Sequence, residues 1–231
     1  MGDRVIVALD APSAEHALRL VDRIGPRCRF YKVGLELYTA AGSAVVRALR
    51  ERGHQVFLDL KLHDIPNQVA GATARAAELG VTFLTVHAMG GRDMLAAAAA
   101  AARGSVGLLG VTVLTSLDEE GLGAVFGRRI PDVGREADRL AAMVREAGLA
   151  GVVCSAAEAA RLRAGLGPGG AIVTPGIRLP GDAVHDQQRV RTAGEAFRDG
   201  ATHIVVGRPV TGASDPAAAF ARIVADAEGG R

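Results

Sequence analysis

The chain has 231 residues, is 49% hydrophobic and carries 27 Lys plus Arg against 25 Asp plus Glu. This length and apolar content suffice for a full core, so we expect a single domain over residues 1–231. The net charge of +2, with arginines spread among acidic residues, and an aromatic content of 3% argue against a nucleic-acid surface. No apolar run approaches the ~18 residues of a membrane span, and no signal segment is evident, so we expect a cytoplasmic protein without a membrane partner.

Short apolar runs alternate with Ala-, Leu- and Arg-rich stretches of helical period along the whole chain. The pattern predicts eight strands, each followed by a helix, with a last helix near 216–227. The strands are predicted at 4–9, 29–34, 55–61, 82–87, 106–113, 150–154, 170–174 and 202–207. Such regular alternation is typical of a parallel sheet, and eight units of this length predict a closed (β/α)8 TIM barrel.

Several helix starts carry capping signals. Ser116, Ser155 and Thr192 each stand three residues before a glutamate, the spacing of a capping box. Asp215 precedes a proline at the first helical position. These signals fix the predicted boundaries of four helices.

The predicted third strand carries charged side chains within an otherwise apolar run. Asp59 and Lys61 are two residues apart, so both project from the same face of a strand. Pro66 ends the strand and leaves Asp64 on the loop after its carboxyl end. Because burial of charge is costly, this carboxylate, ammonium and carboxylate pattern indicates a functional site.

Lysine is rare in this chain. Lys32 and Lys61 are the only lysines among the 27 basic residues, and both lie in apolar, strand-like runs. Lysine is a compact charge that can give up a proton at accessible pH, whereas arginine effectively cannot. Two salt-bridged structural lysines are the alternative, but the pattern favours a chemical role.

Other candidate site residues follow the carboxyl ends of the predicted strands, where the active site of such a barrel lies. Asp10 follows the first strand and Lys32 lies on the second. Thr115 and Ser116 follow the fifth and offer hydroxyl groups to a polar ligand, although capping alone would explain Ser116. His87 ends the fourth strand and is as compatible with a structural hydrogen bond as with catalysis.

The loops after the last two strands have the composition of a phosphate site. Gly176 and Arg178 follow the seventh strand, Gly207 and Arg208 follow the eighth, and Gln187 lies in the long polar loop between them. Barrels commonly bind phosphate in these two loops, through backbone N–H groups next to glycine. Arg208 can add a bidentate contact. A glycine that merely relieves crowding is the alternative explanation for each single glycine.

Six blocks, in this order along the chain, carry a family resemblance. They are Val-Ala-Leu-Asp at 7–10, Lys-Val-Gly at 32–34, Asp-Leu-Lys-Leu-His-Asp-Ile-Pro-Asn at 59–67, Val-Thr-Val-Leu-Thr-Ser at 111–116, Val-Thr-Pro-Gly-Ile-Arg at 173–178 and Gly-Arg-Pro-Val at 207–210. Together they resemble the orotidine 5'-phosphate decarboxylase family. The resemblance implies a homodimeric enzyme of pyrimidine synthesis that converts orotidine 5'-phosphate to UMP and CO2 without a cofactor or metal.

The resemblance also implies roles for individual residues. Lys61 would donate the proton to C6 of the pyrimidine, Asp59 would face the departing carboxylate, and Asp64 would reach into the partner's site. Lys32 and Asp10 would hold the ribose end and the charge network. The remaining substrate contacts implied are Ile65, Gln68, Thr115 at the base, and Arg178, Gln187, Gly207 and Arg208 at the phosphate. Position 68 departs from the family, which commonly has Thr there, so only a backbone contact is expected from it.

Two alternatives from other functional classes remain. Sugar-phosphate decarboxylases and aldolase-type relatives share the Asp-x-Lys-x-x-Asp spacing of 59–64, but they are metal-dependent. They need an acidic ligand on the second strand, where this chain has Lys32, a cation that repels Mg2+. A non-catalytic barrel that binds a phosphate ligand is the other alternative, and it would not require two buried lysines.

Overall fold

Eight parallel strands close into a barrel in sequence order in the computed structural model, which describes residues 1–178 and 191–229. The strands are β1 (Val5–Ala8), β2 (Phe30–Val33), β3 (Gln55–Leu62), β4 (Phe83–His87), β5 (Gly107–Val111), β6 (Gly151–Val153), β7 (Ala171–Thr174) and β8 (His203–Val206). Each strand pairs with the next, and β8 pairs with β1. The predicted TIM barrel is confirmed, and every predicted strand overlaps an observed one.

Helices surround the barrel. In the described ranges they are α1 (Ala14–Ile24), α2 (Leu35–Glu51), α3 (Pro66–Glu78), α4 (Gly91–Ala102), α5 (Glu119–Phe126), α6 (Val133–Glu146), α7 (Ala156–Leu166), α8 (Ala193–Arg198), α9 (Arg208–Thr211) and α10 (Pro216–Gly229). One helix was predicted after each strand, whereas two follow β5 (α5 and α6) and two follow β8 (α9 and α10). No helix in these ranges has the length and apolar character needed to cross a membrane.

The predicted N-cap positions are confirmed at Ser155, Thr192 and Asp215, and at Ser155 the bond found is that from Ser155 N to Glu158 Oε2 at 3.0 Å. The predicted cap at Ser116 is wrong, because α5 begins later, at an N-cap Asp118 whose carboxylate accepts from Gly121 N at 2.8 Å. Ser116 instead lies in a turn that Leu117 N closes by donating to Leu114 O at 2.9 Å. Asp and Ser cap helices about equally well, so tertiary context decides between them.

Aromatic rings fill the amino-terminal half of the barrel. Phe30, Phe83 and His203 are the first residues of β2, β4 and β8 and point inward. The Phe83 ring centroid lies 5.7 Å from that of Phe30, 5.2 Å from that of His203 and 6.1 Å from that of Phe57. Because this end is packed with side chains, the cavity that remains lies at the carboxyl ends of the strands.

Candidate active site

A bulge shapes the carboxyl end of β3. Leu58 pairs with Leu84 and Leu62 with Val86, so β3 uses more residues than β4 over this stretch. Lys61 lies within it with φ of 48°, a left-handed conformation that is uncommon for a residue with a side chain. The sequence pattern predicted a regular strand here, and the bulge is a departure from that prediction.

Four of the predicted residues form a chain of alternating charges. Lys61 Nζ lies 2.9 Å from Asp59 Oδ1 and 3.0 Å from Asp59 Oδ2. Lys32 Nζ lies 3.6 Å from Asp59 Oδ2 and 3.2 Å from Asp10 Oδ1. The side chains of Lys32 and Asp59 are each only 13% exposed. The barrel therefore brings two ammonium groups and two carboxylates next to one another near the carboxyl ends of three adjacent strands, β1, β2 and β3.

A glycine makes room for this arrangement. A Cβ atom at Gly34 would lie 2.9 Å from Lys32 Nζ, closer than real Cβ contacts allow. Any larger residue would displace the ammonium from its position between Asp10 and Asp59. Gly34 belongs to one of the six sequence blocks, but its steric role becomes visible only in the structure.

The carboxylate of Asp59 remains ionised despite its burial. Burial alone would raise its pKa, but the positive charges of Lys32 and Lys61 more than offset that effect and lower the pKa below its ordinary value. Hydrogen bonds from Lys61 and Thr85 act in the same direction. The site thus holds a fixed negative charge between two cations.

Thr85, in the middle of β4, is a site residue that the sequence analysis missed. Its hydroxyl donates to Asp59 Oδ1 at 3.0 Å and accepts from Lys61 N at 2.8 Å. The side chain is completely buried. An alternation argument applied to β4, the neighbour of the charged strand, would have placed the Thr85 side chain inside the barrel beside Asp59.

His87 has a structural role. Its Nδ1 accepts from Met89 N at 3.3 Å, and its ring stacks on that of His63 at 5.2 Å. Burial, together with the charges of His63 and Lys61, lowers the pKa of His87 to about 4. Of the two interpretations of His87, the structure supports the structural hydrogen bond.

A cavity of about 580 Å³ opens beside the charged residues. The predicted residues that line it are Asp10, Lys32, Asp59, Lys61, Thr115, Arg178, Gly207 and Arg208. Lining residues that were not predicted include Phe57, Val153 and Val205, which give it an apolar floor. A larger groove of about 650 Å³ lies on the surface around Arg128, but neither lysine lines it.

Residues that follow β7 and β8 also line this cavity. Arg178 is buried and its guanidinium donates to Ile177 O at 3.0 Å. Gly176 has φ of 82°, which favours glycine. At Gly207 a Cβ atom would come no closer than 3.8 Å to another residue, so crowding does not explain this glycine. The predicted contact Gln187 lies outside the described residues.

Three predicted contacts lie apart from this cavity. Asp64 and Gln68 line a neighbouring groove of about 400 Å³, which shares Lys61 with the main cavity. Asp64 Oδ1 accepts from Ile65 N at 2.6 Å, and the Ile65 side chain is exposed. Within a single chain, therefore, the carboxylate of Asp64 does not join the charged chain of the other four residues.

The described ranges contain no group of three or more His, Cys, Asp or Glu residues placed to hold a metal ion. The acidic residues of the cavity alternate with lysines instead. Lys32 Nζ, at 3.2 Å from Asp10 Oδ1, occupies the position at which a cation would be held by that carboxylate.

The model of the Orotidine 5'-phosphate decarboxylase / HUMPS family matches residues 3–223. A relative from Halorhodospira halophila is 51% identical over 227 residues, covering 96% of this chain and 95% of that protein. One from Moorella thermoacetica is 49% identical over 234 residues, covering 98% and 92%. Both are named orotidine 5'-phosphate decarboxylase.

The fold is also similar to that of a solved member. The crystal structure of orotidine 5'-phosphate decarboxylase from Lactobacillus acidophilus superposes with a TM-score of 0.86 at 38% identity, covering 96% of this chain and 98% of that one. The family model spans most of the chain, and the relatives exceed 45% identity over nearly its full length. The chain therefore belongs to the orotidine 5'-phosphate decarboxylase / HUMPS family, and the predicted class of enzyme, a carboxy-lyase, is confirmed.

Proposed function

We propose that the protein converts orotidine 5'-phosphate to UMP and CO2 in pyrimidine nucleotide synthesis, without a cofactor. The observation that carries the proposal is the chain of alternating charges from Asp10 through Lys32 and Asp59 to Lys61 at one cavity. The names of the relatives support the same reaction. The cavity volume of about 580 Å³ is in the range of small-molecule sites.

The reaction needs electrostatic stabilisation. Loss of CO2 from C6 leaves an electron pair in the plane of the pyrimidine, where the π system of the ring cannot delocalise it. A preorganised positive charge next to C6 lowers the energy of that state. The ammonium of Lys61 supplies this charge, and the carboxylate of Asp59 holds it in place, with Oδ1 at 2.9 Å from Nζ.

Lys61 then acts as the general acid. Its ammonium transfers a proton to C6, which completes UMP and leaves a neutral amine that regains a proton from water. Asp59 faces the departing carboxylate, in keeping with the family resemblance. Lys32 balances the charge of Asp59 and Asp10, so the site keeps this arrangement without the substrate.

The phosphate binds at the opposite end of the cavity from the reacting carbon. Arg178, Gly207 and Arg208 line the cavity, and the backbone after β8 enters the short helix α9 at Arg208. Interactions with a remote phosphate lower the barrier when their binding energy supports closure of the site. The phosphate thus contributes to rate as well as to affinity.

The enzyme works as a homodimer in this proposal. Asp64 and Gln68 line the groove adjacent to the cavity, and Ile65 beside them is 64% exposed. A second copy of the chain that covers this surface would bury Ile65. Its Asp64 would then enter the neighbouring chain's cavity as the second carboxylate beside Lys61.

The consumption of orotidine 5'-phosphate, followed by ultraviolet absorbance with UMP identified as product, tests the proposal. We expect turnover that exhaustive chelation leaves unchanged. Loss on chelation and recovery with Mg2+ would instead favour the metal-dependent sugar-phosphate relatives. Tight binding of the nucleotide without turnover would favour the non-catalytic barrel.

A further inference from the structure

The hydroxyl of Thr85 makes a hydrogen bond to the backbone of β3 where the pairing between β3 and β4 is interrupted. β3 bulges there, and Lys61 lies in the stretch between the pairs Leu58/Leu84 and Leu62/Val86, where it pairs with no residue of β4. Lys61 N donates to Thr85 Oγ1 at 2.8 Å instead. A backbone N–H left without an acceptor at a partly buried position is costly, so the hydroxyl replaces a missing ladder bond.

The direction of the two bonds at Thr85 is fixed. A backbone amide only donates, so the hydroxyl oxygen accepts from Lys61 N and keeps its single hydrogen for another acceptor. That acceptor is Asp59 Oδ1, at 3.0 Å. The same carboxylate holds Lys61 Nζ, so the three residues form a closed ring: Lys61 N to Thr85, Thr85 to Asp59, and Asp59 back to the Lys61 ammonium.

We infer that Thr85 is a positioning residue for catalysis, holding the left-handed backbone of Lys61 and the carboxylate of Asp59 in one arrangement. This inference rests on the proposed function. Thr85 is fully buried and does not line the cavity, so it acts through the other two residues. Misplacement of a catalytic group by about 1 Å costs on the order of 100-fold in rate, which sets the scale of the expected effect.

Thr85→Val tests the inference because valine keeps the shape of threonine and removes only the hydroxyl. We expect a loss in kcat of about 30- to 300-fold with KM changed less than about threefold. Thr85→Ser restores the hydroxyl and should recover kcat to within about fivefold of wild type. If Thr85→Val does not fold, Thr85→Ala compared with Thr85→Ser provides the same contrast.

Thr73→Val on α3 is the matched control. Thr73 is also completely buried, and its hydroxyl has no hydrogen-bond partner within the described ranges. The same chemical change at this position should leave kcat within about twofold of wild type. A loss at Thr73 equal to that at Thr85 would show a general packing effect and would overturn the inference.

The acid limb of the pH profile of kcat/KM responds to the pKa of Asp59 and does not respond to a change in packing alone. A hydrogen bond to the ionised carboxylate of Asp59 lowers its pKa, so its loss raises that pKa. We expect the acid limb of kcat/KM to move to higher pH in Thr85→Val and to return in Thr85→Ser. An unmoved limb in Thr85→Val would contradict the inference.

Amide exchange provides a test that does not depend on activity. Because Lys32 and Lys61 are the only lysines, protein labelled with 15N-lysine gives two backbone amide signals. Lys32 lies in the ladder between β1 and β3 and serves as an internal control. We expect the Lys61 amide to exchange at least tenfold faster in Thr85→Val, but not in Thr85→Ser or Thr73→Val.

These readouts separate the inference from the proposed function. If wild type does not turn over orotidine 5'-phosphate, the proposed function fails, and a faster Lys61 amide in Thr85→Val would still establish the bond itself. If wild type is active, Thr85→Val with kcat within twofold, or Thr85→Ser as impaired as Thr85→Val, overturns the positioning role.

Discussion

Asp59 holds the ammonium of Lys61 with both carboxylate oxygens, at 2.9 and 3.0 Å from Nζ. A compact point charge satisfies this geometry, because three N–H groups radiate from one nitrogen. A planar guanidinium spreads the same charge over a larger group. Lysine therefore fits this position better than arginine does, although both side chains carry one positive charge.

Lys61→Arg should lower kcat by at least about 1000-fold while the melting temperature stays within a few degrees of wild type. Arginine keeps the charge but does not readily donate its proton, and its fork is too large for the space beside Asp59. Steady-state kinetics and thermal unfolding measure the two effects. A kcat within about tenfold of wild type would contradict the role of Lys61 as proton donor.

Arg208→Ala should raise KM and also lower kcat for orotidine 5'-phosphate, each by roughly 10- to 100-fold, because remote binding energy contributes to the rate. Orotidine, which lacks the phosphate, is the matched control substrate. Wild type and variant should process orotidine equally slowly. An equal loss on both substrates would show that Arg208 does not act through the phosphate.

Mixing two inactive variants, Lys61→Ala and Asp64→Asn, tests the shared site under conditions that exchange subunits. In a mixed dimer, one site receives both lesions and the other receives an intact Lys61 and an intact Asp64. Random exchange should then give roughly a quarter of wild-type activity, as two-fold symmetry requires. With exchange confirmed by an independent label, mixtures that stay inactive would place Asp64 in its own chain's site.

His203 should make the fold sensitive to acid. Burial, assisted by the charge of Arg4, lowers the pKa of His203 to about 4 in the folded state, whereas an unfolded histidine has a pKa near 6.5. The folded state therefore favours neutral His203, and this stability is complete above pH ~6.5 and is lost as pH falls toward 4.

Denaturant unfolding of wild type and His203→Phe at pH 7 and pH 4.5 measures this effect. Phenylalanine keeps an aromatic ring between Phe30 and Phe83 but does not titrate. Wild type should lose about 2 kcal/mol more than the variant between the two pH values. His87 remains in both proteins as a common contribution, and identical pH dependence in the two would refute the prediction.

The barrel could be predicted because its strands are encoded locally. A run such as Val5–Ala8 is apolar throughout, as a strand buried on both faces must be, and helical periodicity follows each run. The residues at the carboxyl ends then follow from the topology alone. This is why Asp10, Lys32, Asp59 and Lys61 could be assigned to one site before any distance was known.

The bulge at Lys61 could not be predicted in the same way. The alternation of Asp59 and Lys61 is compatible with a regular strand, and the departure depends on how β3 meets β4. Thr85 was missed because its role arises from contacts with a neighbouring strand, and only the alternation of β4, considered together with that of β3, places its side chain beside Asp59. The cap of α5 was misassigned because Ser116 and Asp118 are both good caps, and only the packed loop selects one.

The rings of Phe30, Phe83 and His203 pack together at the amino ends of the strands and fill that end of the barrel. In the part of the chain that the structure describes, the cavity beside Lys61 is lined by residues at and beyond the carboxyl ends of several strands, among them Asp10, Gly176 and Gly207. For the proposed reaction, the nucleotide then enters and both products leave at this end of the barrel. Loading and unloading must therefore alternate, and no new substrate reaches Lys61 until the previous UMP has departed.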